Sequence, residues 1–154
     1  MSAPATTIRV NRASEAQIAE HLRRCDAAFV PPLGERVDIG SYARKLASQA
    51  ERFEAWAAGV LVGLVAVYCS DAGRRAAFIT NVSVLQERQG QGIASRLLER
   101  GIGHAKALGF ERLALEVDRG NAGAIHLYEK AGFRVAEGDG RSLAMHLATD
   151  QGQP

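Results

Sequence analysis

Apolar residues recur along this chain at two periods, and the switches between them mark its elements. Ile8-Arg9-Val10 alternates and predicts a short first strand. Ser14 followed by Gln17 has the spacing of a capping box, opening a helix through about Cys25 with Ile18 and Leu22 inward. Asp38 caps a second helix over roughly Ile39–Ala50, with Tyr42 and Leu46 on its apolar side. Three strands then follow in antiparallel succession: Arg52–Ala57, Val60–Cys69 and Arg75–Val84. Ala58-Gly59 and Ser70-Asp71-Ala72-Gly73 supply the turns. Val60–Cys69 is the longest apolar run, half a membrane span, and reads as a buried strand in which Gly63 marks a bulge.

Ile93, Leu97, Leu98, Ile102 and Ala105 return to near-helical spacing. Arg112–Val117 is a strand again, reached by a right-handed crossover and therefore parallel to Arg75–Val84. A last helix, Asn121–Ala131, ends at Gly132, and strands Phe133–Ala136 and Arg141–Leu147 close the chain, Leu143, Met145 and Leu147 alternating. The order β-α-α-β-β-β-α-β-α-β-β predicts an α/β fold: a mixed, mostly antiparallel sheet of six to seven strands with helices on both faces. An exposed final strand would offer a pairing edge for a homodimer.

Composition narrows the function classes. A chain of 154 residues makes one domain, 8–149, between small, polar or proline-containing ends, 1–7 and 150–154, that read as frayed. The net charge of +2 gives no field for nucleic acid or anionic lipid, so neither nucleic acid nor a membrane is expected as partner. Met1–Thr7 has no signal-peptide character. Cys25 and Cys69 are too few for a disulfide framework or a zinc site, which points to reduced thiols, a cytoplasmic setting and no metal.

Candidate chemistry concentrates in Asn81–Leu98, where an apolar strand end runs into a glycine-containing turn and then an amphipathic helix. Gly90 and Gly92 allow backbone shapes that a Cβ would block, and the first amides of the helix lack partners at the positive end of its dipole. Gln89-Gly90-Gln91-Gly92-Ile93-Ala94-Ser95 is thus an anion cradle that fits a phosphate. A P-loop is excluded, because Ile93 and Ala94 stand where it needs Lys and Ser/Thr. A dinucleotide fold would find two of its three glycines and Glu116 at a suitable distance, but it requires repeated βαβ units where this chain has one after a meander.

Gln89-x-x-Gly92-x-Ala94 resembles the Gln/Arg-x-x-Gly-x-Gly/Ala signature of the GCN5-related N-acetyltransferase (GNAT) family. Downstream, Asn121, Ala124 and Tyr128 share one helical face, and the run to Phe133 resembles the Asn-x-x-Ala-x-x-x-Tyr-x-x-x-Gly-Phe element of that family. The two motifs stand in the family's order, and the element order matches over almost the whole chain.

The resemblance implies a GNAT-type sheet whose central parallel βαβ pair splays apart, with acetyl-CoA as cosubstrate and a small amine as acceptor. The diphosphate would rest on Gln89–Ser95, the pantetheine arm on the backbone of Val82 and Val84, and Asn121, Ala124 and Tyr128 would border it. The Val82 amide would face the thioester oxygen, a type of contact worth roughly 3 kcal/mol of barrier. Tyr128 would protonate the leaving thiolate as general acid. Relatives place a glutamate on the strand before the turn, and Phe78–Val84 has none. Asn81 or Thr80 could hold a water relay, with Glu54 or Glu116 as a more distant proton sink, and Asn81 and Glu54 are also expected to border the acceptor. Phe29–Val37, with two prolines and a glycine, either packs onto the sheet or walls the acceptor pocket through Phe29 and Leu33, with Arg36 or Tyr42 as polar contacts. His126 falls off the Asn121/Tyr128 face and is expected in solvent. The implied activity is acetyl transfer to a primary amine by direct attack in a ternary complex. A catalytically inactive acyl-CoA-binding module is the alternative.

Overall fold

The computed structural model describes residues 5–149; residues 1–4 and 150–154, part of the expected frayed ends, lie outside them. The first strand begins one residue earlier than expected: β1 is Thr7–Val10 and α1 Glu15–Cys25, followed by α2 Ile39–Gln49. The meander is β2 Glu51–Ala57, β3 Val60–Tyr68 and β4 Ala76–Val84. Then come α3 Ile93–Ala107, β5 Arg112–Asp118, α4 Ala122–Ala131, β6 Arg134–Asp139 and β7 Ser142–Ala148. The seven strands form one sheet ordered β1-β2-β3-β4-β5-β7-β6, with β4 and β5 parallel and the other pairs antiparallel. The chain's final strand is therefore not an edge. β7 lies between β5 and β6, because β6 is a hairpin partner folded outward, so the expected pairing edge of a homodimer is already occupied.

Each face of the sheet carries its own core. Ile18 and Leu22 of α1 and Ala43 and Leu46 of α2 pack with Leu61, Leu64 and Ala66 of β3. Ile93, Leu97 and Leu98 of α3 and Tyr128 of α4 pack with Val62, Val65 and Val67 on the opposite side. Strand β3 is covered on both faces, which is why its apolar run shows no alternation. The bulge sits beside Gly63: Ala55 pairs with Gly63 and Trp56 with Leu61, leaving Val62 over. Gly63 has its own reason, since a Cβ there would stand 2.8 Å from Ile93 Cγ2. Any larger residue would push α3 off the sheet.

Two buried polar ties hold the α1–α2 layer in place. Glu54 on β2 is fully buried, pairs with Arg52 at 3.2 Å, and accepts bonds from the backbone N–H groups of Arg12 and Ala13 and from Trp56 Nε1. Arg52 spends its other donors on the carbonyls of Ala13, Leu46 and Ala47. Glu54 is thus committed to stapling the β1–α1 link to the end of α2. It has no part in proton transfer or acceptor binding, which corrects the expectation from sequence.

The second tie is His21 on α1, 1% exposed, with Nδ1 3.0 Å from Leu61 O and Nε2 2.9 Å from Ser83 Oγ. Burial pushes its pKa down to about 4 against the opposing hydrogen bond to Leu61, with Arg24 adding to the depression.

Glu54→Ala should destabilise the fold by about 3–5 kcal/mol, because it strands the buried Arg52 cation; urea unfolding reads this. Replacing exposed Arg44, paired with Glu15, should change stability by less than about 1 kcal/mol. A histidine whose folded pKa lies below its unfolded value takes up a proton on unfolding between the two. Its stabilisation is complete above about pH 6.5 and fades as pH falls toward 4. Unfolding free energies across that window should rise with pH in the unmodified protein, and the slope should shrink in His21→Met.

Candidate functional site

The parallel ladder between β4 and β5 is short. Ala76, Ala77 and Phe78 pair with Arg112, Leu113 and Ala114, and beyond them the strands part. A second irregularity lies next to the parting: Asn81 pairs with Ala66 and Ile79 with Val67, so Thr80 is an extra residue on β4. The bulge shifts the pleat. Ala77 and Ile79 join the α3–α4 core and so do Val82 and Val84, whereas Ser83 turns to His21 on the other face.

Backbone polarity follows from the same register. Leu85 N donates to Val62 O at 2.9 Å, and bonded pairs alternate along an antiparallel ladder. Ser83 and Asn81 therefore bond to β3, and Val82 and Val84 direct their N–H and C=O toward the gap where β5 has left. Gln89 Nε2 reaches one of these carbonyls, Val84 O, at 3.4 Å.

The strand does not pass directly into α3. A short 3-10 turn, Gln86–Arg88, comes first, and Gly90 and Gly92 then adopt φ of +82° and +77°. Nothing lies within 4 Å of a Cβ built on either, so within the chain itself their left-handed backbone, and not a close approach, explains them. Gly92 is the N-cap of α3 and offers no side-chain bond, and the first turn carries no acidic residue. The other three α-helices are each capped by a side chain: Ser14, Asp38 and Asn121. The start of α3 is therefore a bare, positively polarised end facing solvent.

Two connected cavities follow from the gap. One, about 490 Å³, lies between this turn and α4 and is lined by Gln89, Gly90, Gly92, Ile93, Ala94 and Ser95. The other, about 200 Å³, continues through the splay toward α1 and its following loop. Val82, Val84, Asn121, Ala124 and Tyr128 border both. Asn121 Oδ1 accepts from Ala124 N at 3.2 Å, capping α4. Tyr128 is 8% exposed, and no described residue hydrogen-bonds its hydroxyl; burial alone pushes its pKa up to about 12. Its ring is steadied edge-on by Phe133 at 6.1 Å.

Most residues singled out from the sequence meet here, with exceptions. Gln91 is exposed and borders neither cavity. Leu33 is 3% exposed in the α1–α2 core, so the Phe29–Val37 loop is divided: Leu33 packs it down while Phe29 and Arg36 line the smaller cavity. Tyr42 is also off the wall. Its hydroxyl lies 2.8 Å from Thr80 O and 2.7 Å from Thr80 Oγ1, pinning the β4 bulge, and burial raises its pKa to about 12. His126 is exposed, as expected.

Cys25, Ala28, Val30 and Asp118 line the smaller cavity without having been singled out. Asp118 was legible, since it stands two residues from Glu116 on one strand and so shares its face. Both border the cavity, and Asp118 Oδ1 accepts from Gly120 N at 2.7 Å. Burial raises the Cys25 thiol to about 11, which keeps it protonated at neutral pH.

The family model for the acetyltransferase (GNAT) family matches residues 16–133, a span that contains both cavities' central residues. A mycothiol acetyltransferase from Propionibacterium freudenreichii is 36% identical over 83 residues, 53% of this chain and 27% of that protein. The chain spans about a quarter of the length of the curated relatives it matches. Among solved structures, the ribosomal-protein-S18-alanine N-acetyltransferase of Escherichia coli superposes with a TM-score of 0.73 at 25% identity, covering 94% of both chains. The Salmonella typhimurium protein yncA, solved with its cofactor acetyl-CoA, shares the fold with a TM-score of 0.75 at 24% identity over 95% of both chains. Motif order, splayed strand pair and uncapped helix start are accounted for together: the chain belongs to the GNAT acetyltransferase family.

Proposed function

We propose that this protein is an acetyl-CoA-dependent N-acetyltransferase that acts on a primary amine by direct attack in a ternary complex. The observation that carries the reading is the gap beyond Phe78, where Val82 and Val84 turn backbone groups that β5 does not pair, the Val84 carbonyl met by Gln89, to a cavity that ends on the bare start of α3. A CoA diphosphate is the complement of those amides, and an extended pantetheine arm, with its own amide groups, is the complement of an open strand edge. The fold shared with an acetyl-CoA complex supports the same ligand. Two free thiols suit a reducing, cytoplasmic setting.

The residues divide the chemistry between them. The Val82 N–H would polarise the thioester carbonyl and hold its developing charge in a site with little water. The amine enters through the smaller cavity, between Phe29 and Asn81, and attacks the carbonyl carbon; the C–S bond of the tetrahedral intermediate then breaks. Tyr128, fully protonated at neutral pH, gives a proton to the leaving sulfur. Of the two protons that an ammonium must shed, one replaces that of Tyr128 and the other departs to solvent. Asn81 and Thr80 line that exit, with the Glu116 and Asp118 carboxylates on the same wall. The protonated Cys25 thiol favours direct attack over an acyl-enzyme.

Free-thiol release from acetyl-CoA should be amine-dependent when glucosamine, spermidine and a peptide with an N-terminal alanine are supplied in turn. CoA binding without thiol release from any amine would favour the inactive binding module. Tyr128→Phe should lower kcat by about 100-fold or more while the Kd for CoA stays within about twofold. An unchanged kcat removes Tyr128 from the acid role. Gly92→Ala, forced into a left-handed backbone, should weaken CoA binding by roughly tenfold in calorimetric titration, and unchanged affinity would count against the cradle.

A further inference from the structure

A buried polar chain with no task in the scheme above reaches the acceptor side of the cleft. It runs from Leu61 O to His21 Nδ1 (3.0 Å), from His21 Nε2 to Ser83 Oγ (2.9 Å), and from Ser83 Oγ to the Oδ1 end of the Asn81 amide (2.8 Å). Asn81 is 4% exposed and lines the smaller cavity.

The available protons fix the direction in which this chain donates. A carbonyl only accepts, so His21 Nδ1 must carry a proton. A neutral ring then leaves Nε2 an acceptor, and Ser83 gives it the single hydroxyl proton it has. The Cys25 thiol, 3.7 Å from Nε2, does not release Ser83 from this duty. If the thiol supplied the proton, two lone pairs would confront each other across the 2.9 Å between Nε2 and Oγ. An imidazolium would also free the serine. His21 is buried without a carboxylate partner, however, and the charge that bears on it is the Arg24 cation, itself paired with Glu87.

With its proton committed to His21, Ser83 can only accept from Asn81. The two ends of an amide exchange by a half-turn that barely alters its shape, and hydrogen bonding decides between them. Tyr42, beside the same amide, accommodates the turn, because its hydroxyl can take a proton from Thr80 Oγ1 and give its own to Thr80 O or to Asn81.

We propose that Asn81 directs its NH2 to Ser83 and its Oδ1 to the cavity, where the oxygen accepts a hydrogen bond from the incoming amine and aims its nitrogen at the thioester. The inference rests on the reading of this cavity as the amine's entrance. Asn81 is then the residue that touches substrate, and His21 and Ser83 are positioning residues. A contact at Asn81 that accepts and does not donate selects for nitrogen over oxygen nucleophiles. A neutral primary amine has one proton for Asn81 and another to lose, whereas a hydroxyl has one for both purposes.

The test has two arms on the full chain. Nitrogen-15 spectra of labelled histidine at pH 7 should show His21 neutral, protonated on Nδ1 and bare on Nε2. In Asn81→Asp the carboxylate cannot donate to Ser83, so the serine proton should turn toward it, and His21, still protonated on Nδ1 for Leu61 O, should gain a second proton on Nε2 and become an imidazolium. In the kinetic arm, Ser83→Ala and Asn81→Ala should each raise the KM for the best amine among glucosamine, spermidine and the alanine peptide by about tenfold. Their Kd for CoA should stay within about twofold. An Nε2-protonated ring in the unmodified protein would overturn the assigned orientation. Unchanged amine KM in Asn81→Ala, with CoA binding intact, would overturn the contact with substrate. Unmodified protein that acetylates no amine would refute the parent reading instead, and the ring spectrum would still decide which way the amide faces.

Discussion

Backbone N–H and C=O groups inside a protein need partners, and a strand that loses its neighbour halfway along leaves a row of them open. Strand β4 is in that position beyond Phe78. Beyond Phe78 every residue of its other edge but Thr80 pairs with β3, and its side chains are anchored on both faces, so it cannot drift across to close the gap. The opening is therefore a fixed property of the fold. It sets where an extended ligand with amide groups of its own can lie, and the uncapped helix start at its end would set which way an anionic ligand runs.

The anchors that keep the gap open lie outside it. Gly63 lets α3 settle on β3, which brings the bare helix start level with the end of β4. Tyr42 pins the Thr80 bulge from α2, and His21 ties α1 to both β3 and β4. The Glu54–Arg52 staple holds the layer that carries these two groups. Each tie is polar and satisfied, and those of His21 and Glu54 are fully buried, the arrangement in which such groups fix geometry. The shape of this site thus leans on residues of α1, α2 and β2 that line neither cavity.

Much of the frame could be read directly. The capping box at Ser14, the turn at Ala58-Gly59, the left-handed Gly132 and the alternation through Met145 each carry a local signal for a local structure. Gln89, Gly92, Asn121 and Tyr128 were legible because a cradle and a helical face impose fixed spacings. What escaped depends on long-range pairing. The strand order that buries β7 between β5 and β6 leaves no mark on β7 itself. Glu54 looks the same in sequence whether it lines a pocket or neutralises Arg52 two residues away. Leu33 and Phe29 sit in one irregular loop, and only the packing of that loop onto the sheet separates them into core and wall. The Thr80 bulge, which turns Val82 and Val84 toward the α3–α4 core, is likewise invisible without its partner strand.

The central claim is that the open edge of β4 and the start of α3 together form one acyl-CoA site. A crystal structure of the protein with CoA tests it most directly. The account predicts the diphosphate within hydrogen-bonding distance of the amides between Gln89 and Ser95, and the pantetheine arm paired with Val82 and Val84. CoA seated anywhere else, or a β4 edge that stays unoccupied at saturating ligand, would contradict it.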